Sequence, residues 1–399
     1  MRDTGGDDRN GLPERRHAVA FIVFIGVVSL FADMTYEGAR SVTGPFLGSL
    51  GGSATLVGFV AGFGELVGYA LRFVSGWFGD RTRRYWGGAI VGYTLNLASV
   101  PLLSVAGSSG VAAVLMIGER MGRAIRSPLR DAMLSHAASR TGLGWGFGLH
   151  EALDQTGAVI GPLLVSLLLA LTGAYRVAFA VLALPAMLSL ILLLLARRQY
   201  PRPQELEPLT RSVAMRGFAP GFWPYTVAGG LIGAGYADFA LVAYHFGQSG
   251  VMPMAWIPIC YAIAMAAAGA AALALGWLFD RFGIAVVAWA AAAAAAATPL
   301  VFLGDFGACV GGVVLWGLGM GAQDSVLKAA VGHLVPRQRR ATGYGTFDTA
   351  RGIAWFAGSL LLGFLYDRSI MAVVIVSLAL QLLAVPVLLL ALARRRKGA

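Results

Sequence analysis

The chain has 399 residues, of which 57% are hydrophobic and 13% charged, with a mean hydropathy of +0.71. A soluble domain carries about 25% charged residues, so a soluble globular protein is excluded and a polytopic membrane protein is indicated. The net charge of +11 would suggest a nucleic-acid partner in a soluble protein. Here the cations lie mostly in short connections, where they set membrane topology, and no nucleic-acid partner is expected.

Residues 1–17 are polar (Arg2, Asp7, Asp8, Arg9, Glu14, Arg15, Arg16) and are expected to form a cytoplasmic tail. No A-x-A-like cleavage site follows the first apolar run, so that run reads as a retained helix and not as a signal peptide. A membrane span needs about 20 mostly apolar residues. Six candidates fall at roughly 18–40, 54–78, 87–107, 110–134, 143–171 and 174–196. A polar linker with prolines and arginines occupies 197–221, and six more candidates follow at roughly 222–247, 253–279, 285–303, 306–333, 342–366 and 369–393. A basic tail, 394–399, ends the chain. The expected fold is an all-α polytopic membrane protein with 12 transmembrane helices in two pseudo-symmetric six-helix bundles, 18–196 and 222–393. Cys260 and Cys309 lie in apolar runs and imply no disulfide framework. The 54 glycines suit close helix packing in lipid.

The arginines set the expected orientation. One group of connections holds Arg81, Arg83, Arg84, Arg140, the 197–221 linker, Arg281, Arg337, Arg339 and Arg340, and both tails add more. The opposite connections hold little beyond Arg176 and Arg368. By the positive-inside rule both termini and the linker are cytoplasmic. The two halves also share a turn. Gly76-Trp77-Phe78-Gly79-Asp80-Arg81 closes the second span, and Gly276-Trp277-Leu278-Phe279-Asp280-Arg281 closes the eighth. That is where a duplicated unit would repeat it.

On these residues the chain resembles the major facilitator superfamily, whose signature turn between helices 2 and 3 reads G-x-x-x-D-R-x-G-R-R. Gly76, Asp80, Arg81, Arg83 and Arg84 match much of it, although Arg83 stands where a small residue belongs. Helix 4 of the family's proton-coupled drug exporters carries R-x-x-Q-G, of which Arg120 keeps only the leading arginine. Helix 5 of the antiporter branch carries G-x8-G-x3-G-P, and Gly148, Gly157, Gly161 and Pro162 reproduce that spacing. The closing G-G is replaced by Val165 and Ser166. The resemblance covers about 18–393 and is most like the 12-helix drug antiporters. It implies a bacterial cytoplasmic (inner) membrane location. It also implies a conformational latch at Gly76, Asp80, Arg81, Arg84, Asp280 and Arg281, for which plain topology charge is the alternative.

The stretch 118–131 is the least expected in a span, because Arg120, Arg123, Arg126 and Arg130 share one helix face. One arginine at a helix centre costs roughly 2.5–3.5 kcal/mol on insertion scales. The same half supplies Asp33, Glu37, Glu65, Glu119, Glu151 and Asp154, so acids from helices 1, 2 and 5 can meet these cations. Arg120 and Arg123 are expected at the centre of that network, with Arg126 and Arg130 snorkelling outward to the cytoplasmic surface. Arg120 is then the most functionally sensitive of the four and Arg130 the least. Asp33, Glu65 and Asp154 are the candidate proton carriers, with Arg120 as the charge that tunes them. A static ion-pair network is the alternative.

The second half is barer. Asp324 with Lys328, and Asp348 with Arg351, have the spacing of self-neutralising pairs on one helix face. Asp238 lacks a cation nearby in sequence and is a candidate to face a central cavity. His245 with Asp238, and His150 with Glu151, read as polar packing, and no metal site is expected. No G-x-x-x-x-G-K-[ST] loop and no catalytic constellation occur, so neither an enzyme nor ATP coupling is indicated. The expected function is proton-coupled antiport exporting small amphiphilic molecules, driven by the proton gradient without a cofactor. The expected partners are a small-molecule substrate, protons and the lipid bilayer, and the protein is expected to be a monomer. The alternative is uptake or uniport of a small organic anion or metabolite, with Arg120 and Arg123 on its carboxylate or phosphate.

Overall fold

In the computed structural model the described residues are 11–82, 85–138, 143–202, 221–282, 285–323, 327, 330, 331, 334 and 340–397. Within these ranges the side chains of 11–15, 73, 80, 135, 138, 143–148, 273, 276, 277, 279, 280, 285, 340–345 and 392–397 are not described. Every regular element among them is helical, as a chain in lipid requires: only a helix or a closed barrel satisfies its own backbone polar groups there.

The first half runs through α1 (Gly11–Arg40), α2 (Thr43–Ser49), α3 (Ala54–Thr82), α4 (Tyr85–Leu102), α5 (Ser109–Ala138), α6 (Leu143–Thr172), α7 (Tyr175–Val181) and α8 (Ala183–Gln199). The second half runs through α9 (Phe222–Gly235), α10 (Phe239–Ser249), α11 (Trp256–Phe282), α12 (Ala285–Ala295), α13 (Ala297–Leu303), α14 (Phe306–Ala322), α15 (Arg340–Tyr366) and α16 (Ile370–Lys397). Among the described residues each of the twelve apolar runs falls on one helix or on a broken pair, the run 306–333 being described mainly over α14. The pairs are α7 with α8, α9 with α10, and α12 with α13. Eight helical segments among the described residues are long and apolar enough to cross a membrane, and Trp256–Ala272 and Phe306–Ala322 add shorter apolar ones. The helix α5 is not among them, because Glu119 and its arginines interrupt the apolar run. Large apolar side chains such as Trp289 (75% exposed), Leu171 (73%) and Val105 (73%) face outward. In lipid, as apolar as they are, that outward placement is not a liability.

Side-chain packing defines how the halves meet. Toward the end where α1 begins and α16 finishes, called here the terminal end, there are two separate cores. One contains only first-half residues, such as Phe21, Trp86 and Leu134. The other contains only second-half residues, such as Tyr225, Leu334 and Leu388. At the opposite, far end a single core runs through both halves, joining Phe46 and Val57 to Phe239, Tyr261 and Leu362. Contacts between halves follow the same pattern, with α3 on α15, α6 on α11 and α2 on α10. The backbones touch there: a Cβ on Gly58 would lie 2.2 Å from the Ser359 carbonyl oxygen. Among the described residues the halves are therefore sealed at the far end and have separate cores toward the terminal end.

Candidate functional site: an arginine and carboxylate network

Each of the four arginines of α5 is met inside the first half, and helix geometry sets which neighbour meets it. Each step of three residues turns the side chain by about 60°, and the final step of four turns it back by about 40°, so the row spreads over about 120° and reaches α3, α1, α4 and α6. Arg120 points at α3, where its Nη1 donates to Glu65 Oε1 at 2.8 Å and to the Ala61 carbonyl at 3.2 Å. Arg123 lies over the Tyr36 ring of α1, 4.1 Å from its centroid. That is a cation–π contact, and no carboxylate forms an ion pair with Arg123 among the described residues. Arg126 is 1% exposed and donates from Nη2 to Asp33 Oδ1 at 3.2 Å, with its guanidinium 4.4 Å from the Tyr93 centroid. Arg130 donates to Asp131 Oδ1 at 2.9 Å and to Ser29 Oγ at 3.2 Å, and lies 3.7 Å from Asp154 Oδ1.

This corrects two expectations. Arg126 and Arg130 do not snorkel to a surface, because α1 and α6 supply the acids Asp33 and Asp154 and α4 lays the Tyr93 ring against Arg126. Nor does Arg120 reach Asp33 or Asp154. Those acids belong to Arg126 and Arg130, which the helical sweep turns toward α1 and α6. Arg72 of α3 is exposed and lies over its own neighbour Tyr69. Ser29 ties the lower cluster together: its hydroxyl is 3.0 Å from His150 Nε2 and 3.4 Å from the Tyr93 hydroxyl.

A second cluster sits where α1 reaches the other half. Glu37 is 5% exposed and accepts hydrogen bonds from the Tyr36 hydroxyl and, across the boundary between halves, from the Tyr261 hydroxyl of α11. It has no ion pair among the described residues. Arg40, one turn on, lies 3.9 Å from Glu65 and 3.6 Å from Asp238 Oδ2. Asp238 was expected to lack a cation, but the fold brings one from 198 residues earlier. Its side chain also caps α10, accepting from the Ala240 N–H at 3.0 Å. The chain Arg120–Glu65–Arg40–Asp238 thus crosses from one half to the other. Glu119 accepts from Asn96 Nδ2 at 2.7 Å and, with Arg40 and Arg120, forms the polar end of a narrow cavity walled by Val57, Val60 and Met116.

Arg40 counts in the sequence among the cations facing the first-half acids, whereas Tyr36, Tyr93, Tyr261, Ser29 and Asn96, which complete these clusters, are not singled out there as partners. Their signal was weak: polar side chains inside apolar runs, of which Ser29 and Tyr36 fall on the same stretch of α1 as Asp33 and Glu37.

The remaining candidates divide. Glu151 is exposed and accepts from Gln155 at 2.9 Å. The ligand atoms of His150, Glu151 and Asp154 lie within 4.8 Å of one another. Arg130 already supplies positive charge beside Asp154, so a metal ion there would have to displace it. His245 Nδ1 is 2.9 Å from the Tyr366 hydroxyl. Gly157 and Gly161 of α6 press against α1: a Cβ at either would lie 2.2 Å from the carbonyl oxygen of Leu30 or Met34. Pro162 lies inside the same helix, and Gly148 is on its first turns. Of the turn residues, Gly76 is in α3, Arg81 lies 5.3 Å from the centroid of Trp77 on its own helix, and Arg281 lies over Phe282. The side chains of Asp80 and Asp280, and all of Arg84, lie outside the described residues, as do Asp324 and Lys328.

Comparison with known proteins gives one family. The model of the Major Facilitator Superfamily matches residues 22–359. An uncharacterised protein of Mycobacterium tuberculosis is 44% identical over 371 residues, covering 91% of each chain. An uncharacterised MFS-type transporter of Methanocaldococcus jannaschii is 31% identical over 143 residues, 36% of each chain. Among solved structures, a POT family transporter in complex with a thioalcohol-conjugated peptide superposes with a TM-score of 0.76 at 13% identity, over 95% of this chain and 96% of that one. The nucleoside transporter NupG gives 0.74 to 0.72 in two crystal structures, at 14% identity over 94% of this chain and 99 or 98% of theirs. At such identities the likeness is one of fold.

Proposed function

Because the chain belongs to the Major Facilitator Superfamily and is a membrane transport protein, we propose that it works by alternating access as a proton-coupled antiporter exporting small amphiphilic molecules. The observation that carries the coupling is the setting of Glu37. Asp33, Glu65 and Asp154 each face a guanidinium within 4.0 Å, whereas Glu37 is held by two tyrosine hydroxyls, one from each half. Parting the halves at the far end withdraws Tyr261 and brings water to the carboxylate. A group that changes both its partner and its water access with conformation can take up a proton on one side and release it on the other.

The arginine-rich connections support cytoplasmic termini in a bacterial inner membrane, so the arrangement described above is open to the cytoplasm. The Asp80–Arg81 and Asp280–Arg281 turns would latch that side in the opposite state. The apolar walls and charged end of the cavity suit an amphiphile. The glycine spacing 148, 157, 161 before Pro162 favours export. Arg40 and Arg120 at the cavity end favour a second reading, uptake of a small organic anion. Purified monomer in vesicles with an imposed pH gradient separates these. Export that follows the gradient and is lost in Glu37→Gln, while gradient-free exchange persists, is the expected result. Transport indifferent to the gradient sinks the coupling, and stabilisation by organic anions alone selects the second reading.

A further inference from the structure

We propose that Asp367 is the lock of the far-end gate: its carboxylate caps α3 from the other half, and every transport cycle must release and remake that cap. Asp367 sits in the turn between α15 and α16. Its Oδ1 accepts from the Ala54 N–H at 2.9 Å, and its Oδ2 from the Thr55 N–H at 2.8 Å and the Thr55 hydroxyl at 2.5 Å.

The first N–H groups of a helix have no partner within it, and the helix dipole favours a carboxylate there. A local residue usually serves as the cap. Here the hydroxyl of Ser53, the local residue, accepts from the Leu56 N–H at 3.2 Å. The two N–H groups before it are served from 313 and 312 residues away. The cap therefore exists only while the halves touch.

The surroundings hold the carboxylate in place. A Cβ on Gly363 would lie 2.4 Å from the Ala54 carbonyl oxygen, so the two backbones meet beside the cap. The turn is closed by Asp367 N to Gly363 O and Arg368 N to Leu365 O. The Arg368 guanidinium lies 3.5 Å from the Phe364 centroid, and among the described residues no cation forms an ion pair with Asp367. The boundary between α6 and α11 carries a neutral contact instead, Ser166 Oγ donating to Ala255 O at 2.7 Å, so the charged cap is on one side of the gate. Because Asp367 and the start of α3 are next to water, releasing the cap exchanges protein partners for solvent. That makes it reversible in a way a deeply buried ion pair is not.

This rests on the alternating-access reading but not on proton coupling, and the test keeps the two apart. Spin labels at Gly107→Cys in the first half and Met254→Cys in the second, with Cys260→Ala and Cys309→Ala, report the far-end separation in detergent without substrate or gradient. The parent should show one short distance. Asp367→Asn and Asp367→Ala should add a longer one, raising the open-to-closed ratio roughly tenfold or more, the factor that about 1.4 kcal/mol supplies. Thr55→Val, which removes one donor of three, should fall between, and Arg368→Gln should match the parent. An unchanged distance distribution in monodisperse Asp367→Asn, or an equal shift in Arg368→Gln, overturns the proposal. Thr55→Val provides the reading if the Asp367 variants do not fold.

Discussion

The buried pair Asp33–Arg126 is the sharpest test of the network. Arg126 is 1% exposed and Asp33 4%, and the two atoms that meet are 3.2 Å apart. Two more guanidinium nitrogens, Nε and Nη1, have no acceptor among the described residues, so Asp33 is the one carboxylate answering this charge. At an effective dielectric of about 20 two unit charges at that distance attract by about 5 kcal/mol. Removing one partner of a buried pair typically costs about 3–5 kcal/mol, because the other is left uncompensated. Asp33→Asn keeps the shape and deletes the charge, so it should destabilise by about 3–5 kcal/mol. Arg126→Met should cost a comparable amount. The double variant should cost much less than the sum, since no orphaned charge remains. Unfolding in mixed micelles, followed by tryptophan fluorescence across the four members of the cycle, measures this. Additive effects, within about 0.5 kcal/mol, would refute the pairing, and so would a cost for Asp33→Asn below about 1 kcal/mol, the level of an exposed pair.

Gly157→Ala should lower stability by about 1–3 kcal/mol, because the new methyl meets the Leu30 carbonyl; the same micelle titration reads it, and a neutral outcome would mean that α1 and α6 pack less closely. Arg120→Gln and Arg130→Gln should both reduce vesicle transport by about tenfold or more, the effect of losing one charged contact of at least 1.4 kcal/mol, since the first takes from Glu65 its nearer cation, leaving Arg40 at 3.9 Å, and the second takes from Asp154 its ion-pair partner. Full activity in Arg130→Gln would return that residue to the surface-seeking role its position in the sequence suggests.

Much of the architecture was legible because the bilayer imposes it: apolar runs of span length mark the long helices, though not the short α2 (Thr43–Ser49), and the Gly-Trp-x-x-Asp-Arg turn recurs at the matching place in the second half. The acids and arginines of the first half were also visible as a set that had to meet. Their pairing was not. Spacing along α5 puts four arginines on one broad face, but their spread of about 120° is enough to send them to different helices, and the identity of those neighbours depends on tertiary packing. Asp238 and Arg40 show the same limit, being 198 residues apart in sequence and 3.6 Å apart in space. Tyr261 and Asp367 were invisible for a related reason: each acts on the opposite half, and nothing in its own sequence neighbourhood points there. The break between α9 and α10 is not evident in the sequence because Tyr236–Asp238 is a short polar interruption inside an otherwise apolar run of span length.

Helix breaks give both halves the same kind of tip. The first helix of one half ends in the short α2, and that of the other in α10, and the two stubs lie on each other with a Cβ at Gly44 only 1.9 Å from the Ala240 carbonyl oxygen. A single methyl at position 44 is therefore a wedge that acts in one state and is silent in the other. Gly44→Ala should leave each bundle intact, hold the stubs apart, and turn the protein into a sample of its opposite-facing form.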